Sequence, residues 1–148
     1  MDCFVHLGYE SLLSNLNSRD KYLAIFDVPP ETLNTQLRRS VNGDRFTDLD
    51  FIKAFLCQIL KISKFYKLKI LYKPKYSIKN SPTLNPQYNI FLKKIYSDFS
   101  DNLIILNPYV RIGDIIEKSD IVLNIPYTSS MKFAENMKKK SLFYIPTE

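Results

Sequence analysis

Glycine is scarce here: Gly8, Gly43 and Gly113 are the only three in 148 residues. Neither G-x-G-x-x-G nor G-x-x-x-x-G-K-[ST] can be built from them, so dinucleotide oxidoreductases and P-loop ATPases both lose the loop their chemistry requires. Histidine is scarcer still. His6 stands alone with no recognisable nucleophile motif around it, which favours an incidental structural role over a catalytic one. Cys3 and Cys57 have neither disulfide-framework nor zinc-ligand spacing, and Cys57 falls in an apolar helical pattern, where a thiol behaves as a small core residue. No run of about 18 uncharged apolar residues exists, and Met1-Asp-Cys-Phe-Val-His6 lacks the basic and apolar regions of a signal peptide. The expectation is a cytoplasmic chain that requires no metal and no cofactor.

What is present suffices for a single core, since 45% of the residues are hydrophobic and the length suits one domain. The net charge of +6 and pI near 9.2 suit phosphate-bearing partners: nucleic acid, an anionic membrane face or a nucleotide. The basic residues are spread along the chain, with neither recognition-helix spacing nor an aromatic RNA-binding motif, so nucleic acid is the least favoured of these.

Short β-rich runs alternate with amphipathic helices, the pattern of parallel βαβ units. Residues 1–20 receive no role beyond a short helix near Tyr9 to Leu16. Tyr22 to Phe26 reads as a first strand, broken by Pro29-Pro30. The polar stretch from Glu31 to Thr47, with Arg38-Arg39 and the turn at Asn42-Gly43-Asp44, is long enough to be a working loop. Phe51 to Tyr66 reads as a helix with Phe51, Phe55, Ile59 and Ile62 on its apolar face and Ile52, Leu56 and Leu60 beside them, capped from among Thr47, Asp48 and Asp50. Leu68 to Tyr72 is a second strand, followed by a helix with Tyr88, Phe91, Leu92 and Ile95 inward. Leu103 to Leu106 is a third, followed by a short helix around Ile112, Ile115 and Ile116. Asp120 to Ile125 is a fourth. A helix from Met131 to Lys140, with Phe133 and Met137 inward, leads to a fifth strand, Leu142 to Ile145.

In an open parallel sheet, ligands gather beyond the carboxyl ends of the strands. Asp27, Lys73 with Lys75, Asn107, Tyr127 to Ser130 and Thr147-Glu148 all fall at those ends. Pro74 stops the second strand and sends both lysines off its end together. Thr128, Ser129 and Ser130 open the last helix, where unpartnered N–H groups and hydroxyls favour an anion. A plain helix cap is the competing reading of those hydroxyls, and solvated strand-end charges the competing reading of the lysines. Asp27 is suited to act as a base or to bind a hydroxyl, with capping of the Pro29-Pro30 turn the simpler role.

Three segments together, Ala24-Ile-Phe-Asp27-Val-Pro29, Leu71-Tyr-Lys73-Pro74-Lys75 and Ser119 to Ser129 with its Pro126-Tyr127-Thr128-Ser129, resemble the bacterial polysaccharide-biosynthesis proteins of the PFTS-motif type. Tyr127 stands in place of the usual Phe, and Tyr76 follows Lys-Pro-Lys where the family tends to place Arg. The resemblance implies an α/β, Rossmann-like parallel sheet of about five strands over residues 21–148, similar to the C-terminal, donor-binding half of a B-fold glycosyltransferase. It implies a nucleotide-sugar donor, with Thr128, Ser129 and Ser130 on phosphate, Lys73 and Lys75 on the diphosphate, and Asp27, Pro126 and Tyr127 shaping the pocket. The glycan acceptor would be presented by a missing or separate domain, so the chain is not expected to turn over alone. Two other readings stay open: a non-catalytic, truncated or split fragment that binds a nucleotide or a partner chain, and a basic module for nucleic acid or the inner membrane face. For the last, the Phe51 to Tyr66 helix is the candidate surface.

Overall fold

Tyr22-Leu-Ala-Ile-Phe26 is apolar on both sides, and a strand without a polar face has to be covered on both. In the computed structural model, which describes residues 13–32, 48–75, 84–125 and 129–144, that segment is β1 (Lys21–Phe26), the central strand of a five-stranded sheet. The chain continues through α1 (Leu49–Phe65), β2 (Leu68–Lys73), α2 (Pro86–Asp98), β3 (Leu103–Ile105), α3 (Ile112–Lys118), β4 (Ile121–Asn124), α4 (Ser130–Asn136) and β5 (Lys140–Phe143). All neighbouring strands are parallel, in the order β3-β2-β1-β4-β5. This is an α/β, Rossmann-like sheet flanked, among the described residues, by four helices.

Alternation along β1 divides the core. Leu23 and Ile25 pack with Ile52, Phe55, Leu56, Leu92 and Ile95 of α1 and α2. Tyr22, Ala24 and Phe26 pack on the other face with Ile115, Ile116 and Ala134 of α3 and α4. The first two connections thus cover one face and the last two the other, and winding direction reverses at β1, where β2 lies on one side and β4 on the other.

Local signals account for most boundaries. Asp48 caps α1 by accepting from the Asp50 N–H at 3.0 Å, and Asn85 caps α2 by accepting from the Gln87 N–H at 3.0 Å, with Pro86 at the first helical position. Lys67, with φ 54°, turns the chain from α1 into β2 in a left-handed conformation.

Expectations for α1, α4 and β5 need correction. The buried face of α1 is Leu49, Ile52, Phe55, Leu56, Ile59, Leu60 and Ser63, so Ile62 faces outward at 48% exposure. Ser63 is tolerated inside because its hydroxyl donates to the Leu60 carbonyl at 2.8 Å. In α4, Ala134 rather than Phe133 and Met137 faces the sheet; Phe133 and Met137 lie outside. The helix ends at Asn136, and the left-handed Lys138 (φ 54°) reverses the chain. Lys139 fixes that reversal by donating to the Glu117 and Ser119 carbonyls, at 2.8 and 2.9 Å. The fifth strand consequently begins at Lys140, two residues before Leu142. Of the N-terminal helix near Tyr9 to Leu16, only Leu13 and Ser14 are helical among the described residues, and Leu13 is buried on the α3 and α4 side. The loop with Arg38-Arg39 lies outside the described residues. No described helix is long and apolar enough to cross a membrane.

Candidate functional site

β1 ends at Phe26, yet the ladder runs one bond further, with the Asp27 N–H donating to the Lys73 carbonyl at 2.9 Å. Strand alternation turns the Asp27 side chain to the side of Leu23 and Ile25, beneath α2. Capping of its own turn is ruled out by chemistry: the residues two and three positions on are Pro29 and Pro30, which have no N–H to donate. The carboxylate instead accepts from the Tyr88 hydroxyl at 2.7 Å. Tyr72, paired across the ladder with Ile25, hydrogen-bonds the Tyr88 hydroxyl, which leaves the single Tyr88 proton for the carboxylate.

Tyr88 is aimed by the way α2 starts. The Asn85 N–H donates to the Pro30 carbonyl at 3.0 Å, and Glu31 and Leu84 form an isolated antiparallel bridge. These contacts tie the segment leaving β1 to the first turn of α2, which sets the third residue of the helix over the end of β1.

Asp27 is buried at 8% exposure, and burial pushes its carboxyl up from 3.8 to about 6. The nearby Tyr72 and Tyr88 hydroxyls, the Lys75 backbone and the Lys75 charge hold it from rising further. Burial, reinforced by the Asp27 charge, keeps both phenols well above the usual tyrosine range. Sequence pattern marks Tyr72 and Tyr88 only as strand and core-face residues. The signal that could have marked them is that a buried phenol needs a polar partner.

Lys73 pairs with Phe26, half-buried, and its ammonium donates to the Pro108 carbonyl at 2.7 Å. Burial lowers its pKa, while the Asp27 charge opposes that shift. Lys75 is exposed just beyond β2, its backbone on the Asp27 carboxylate.

On the other side of β1, β4 ends at Asn124, fully buried. Its amide donates to the Ser141 hydroxyl at 2.8 Å, and its carbonyl oxygen accepts from the Ser130 hydroxyl at 2.5 Å. Ser130 is buried at the start of α4, and its hydroxyl points into the fold. Ser129 is exposed, and its side chain makes no cap bond to the helix. Pro126, Tyr127 and Thr128 lie outside the described residues. Asp27, Lys73, Lys75, Ser129 and Ser130 therefore share the carboxyl edge of three adjacent strands.

The Ser130 bond carries an expectation for stability. Ser130→Ala removes one donor from the buried Asn124 and should cost about 1–2 kcal/mol. Urea unfolding would measure it; an unchanged midpoint would show that the bond contributes nothing.

This arrangement joins two lysines at the end of one strand, a buried carboxylate at the end of the next and an exposed hydroxyl after the third, where the winding reverses. No curated protein matches the chain. A model of the family described as polysaccharide biosynthesis PFTS motif proteins matches residues 1–148. The chain spans that match from end to end and belongs to the polysaccharide biosynthesis PFTS motif family.

Proposed function

We propose that the carboxyl edge of this sheet binds the diphosphate of a nucleotide-activated sugar, and that the chain serves as the donor side of a glycosyl transfer in polysaccharide biosynthesis. The observation that carries the proposal is the strand order β3-β2-β1-β4-β5, which reverses winding beside Asp27 and between the lysine-bearing and serine-bearing strand ends. A crevice at such a reversal is where open α/β sheets take nucleotides.

The chemistry of the side chains divides the work. Lys73 and Lys75 neutralise a diphosphate, and a half-buried ammonium interacts with an anion more strongly than a solvated one. Ser129 offers a hydroxyl to the same anion, with Thr128 beside it in sequence. Ser130 contributes through backbone, because its hydroxyl is engaged with Asn124. Asp27 supports this edge from beneath, through its bond to Tyr88, and Pro126 and Tyr127 are assigned to the same pocket by their place in the sequence motif alone. As the sugar departs, negative charge grows on the diphosphate, and fixed cations and donors aimed at it favour the transition state over the ground state. The acceptor glycan would be presented by a facing domain or partner.

Titration of uridine, guanosine, adenosine and thymidine diphosphates, followed by amide chemical shifts, tests the proposal. One of them should bind, with shifts concentrated at residues 27, 73–75 and 129–130. Lys75→Ala should weaken it about tenfold or more, in keeping with loss of one charge-assisted bond. Absence of binding by all four, or shifts confined to the opposite edge of the sheet, would overturn the reading.

A further inference from the structure

The C-terminal end of α1 bears a cluster that neither the core nor the diphosphate site uses. Phe65 is 79% exposed, Tyr66 66% and Ile62 48%, and they are interleaved with the exposed Lys61, Lys64 and Lys67. Single exposed apolar residues are ordinary on a protein surface; three contiguous ones at a helix end, ringed by one sign of charge, are not. Because α1 runs antiparallel to the strands it connects, this end lies at the amino edge of the sheet, opposite the carboxyl edge that carries Asp27. The left-handed Lys67 makes the chain turn back immediately after the two rings, so they occupy the corner between α1 and β2.

We infer that this corner docks on an anionic lipid surface, with Phe65, Tyr66 and Ile62 entering the headgroup region and Lys61, Lys64 and Lys67 meeting lipid phosphates. Charge complementarity selects that occupant. Acidic groups on the same edge are Asp20, which Lys69 pairs at 2.8 Å, Asp120, which accepts from the Tyr22 N–H at 2.8 Å, Asp98 and Asp101 around the end of α2, and Glu117 near the end of α3; the α1 end itself, from residue 58 to residue 69, carries lysines and no acidic residue. Aromatic rings sit readily at the headgroup level, and lysine stems lie along apolar surface while their ammonium groups reach phosphate. A protein partner fits less well, since lysine is depleted from protein interfaces. Single-stranded nucleic acid stacks on open ring faces, but Phe65 and Tyr66 are set edge to face, with centroids 5.0 Å apart at 83°, so one ring covers a face of the other.

Co-sedimentation of the full chain with phosphatidylcholine vesicles, with and without phosphatidylglycerol, tests the inference. Binding should appear with the anionic lipid and fall steeply with salt. Phe65→Ser with Tyr66→Ser should reduce it at least tenfold, and Lys61→Gln with Lys64→Gln about fivefold per lysine. These positions are exposed, so amide spectra of the variants should match the parent. The chain has no tryptophan, so Tyr66→Trp adds a single reporter whose emission should shift to the blue on anionic vesicles. Equal binding to neutral vesicles, or no loss in the Phe65 and Tyr66 variant, would overturn the inference. So would the same substitutions abolishing single-stranded RNA binding or self-association while vesicle binding persists. Nucleotide titration remains an independent readout, as the site lies on the opposite edge.

Discussion

Raising the pH from about 3 to 7 should lower the unfolding free energy by about 3 kcal/mol on account of Asp27 alone. The folded chain holds the Asp27 proton up to about pH 6, against 3.8 for the ordinary group. A raised folded-state carboxyl means that the native state binds the proton more tightly than the unfolded state. The contribution is therefore fully present below the unfolded value, and it is lost as pH rises through the folded one. About two pKa units at roughly 1.4 kcal/mol each give the magnitude. Asp27→Asn removes the ionisation and should flatten the stability profile between those limits. Denaturant midpoints taken across that range for parent and variant would measure the difference. Parallel profiles for the two proteins would mean that Asp27 ionises at no cost and is not buried as described.

The second large effect concerns Tyr88. Tyr88→Ala empties a fully buried aromatic site between α2, β1 and β2, and should cost about 3–5 kcal/mol. Tyr88→Phe keeps the ring and removes the donor to Asp27, so it should cost about 1–3 kcal/mol at neutral pH. That smaller cost depends on pH. The Tyr88 hydroxyl holds the Asp27 carboxyl down, so its removal moves the Asp27 titration upward and widens the pH interval over which stability is lost. Near pH 4, where Asp27 keeps its proton in the native state, the Phe variant should approach the parent. A penalty for Tyr88→Phe that is equal at both pH values would place the phenol in a purely packing role.

These two residues mark the limit of what could be read along the chain. Asp27 was identifiable as a polar group at a strand end, because Tyr22 to Phe26 is plainly a buried strand and the residue after it is charged. A cap on the turn that follows is excluded by Pro29 and Pro30, which lack the N–H, but the partner that takes its place lies 61 residues away in Tyr88. Tyr88 and Tyr72 sit at good core positions of a helix and a strand, and periodicity has no means of saying which phenol faces which carboxylate. Lys73 and Lys75 were placed on a strand end by Pro74. Only the assembled sheet assigns the Lys73 ammonium to Pro108 and the Lys75 backbone to Asp27.

The α4 and β5 region shows the same limit in secondary structure. A two-turn helix has too few residues to define its apolar face by pattern, and large Phe133 and Met137 outweigh small Ala134 in any hydropathy reading. Packing chose the alanine, because it lets the helix approach Ile115, Ile116 and Val122 closely.

The amino-acid sequence on its own determined the alternation of strands and helices, a cap for α1 from among Thr47, Asp48 and Asp50, and the gathering of charged and hydroxyl residues at strand ends. Those features depend on neighbours within a few positions, where side-chain period and missing N–H groups act directly. The tertiary structure alone decided that winding reverses at β1, that Asp27 is sealed beneath Tyr88, that the Ser130 hydroxyl turns inward to Asn124, and that Phe65 and Tyr66 remain outside. Each of these depends on burial and on partners distant along the chain, and neither exists until the sheet has closed around them.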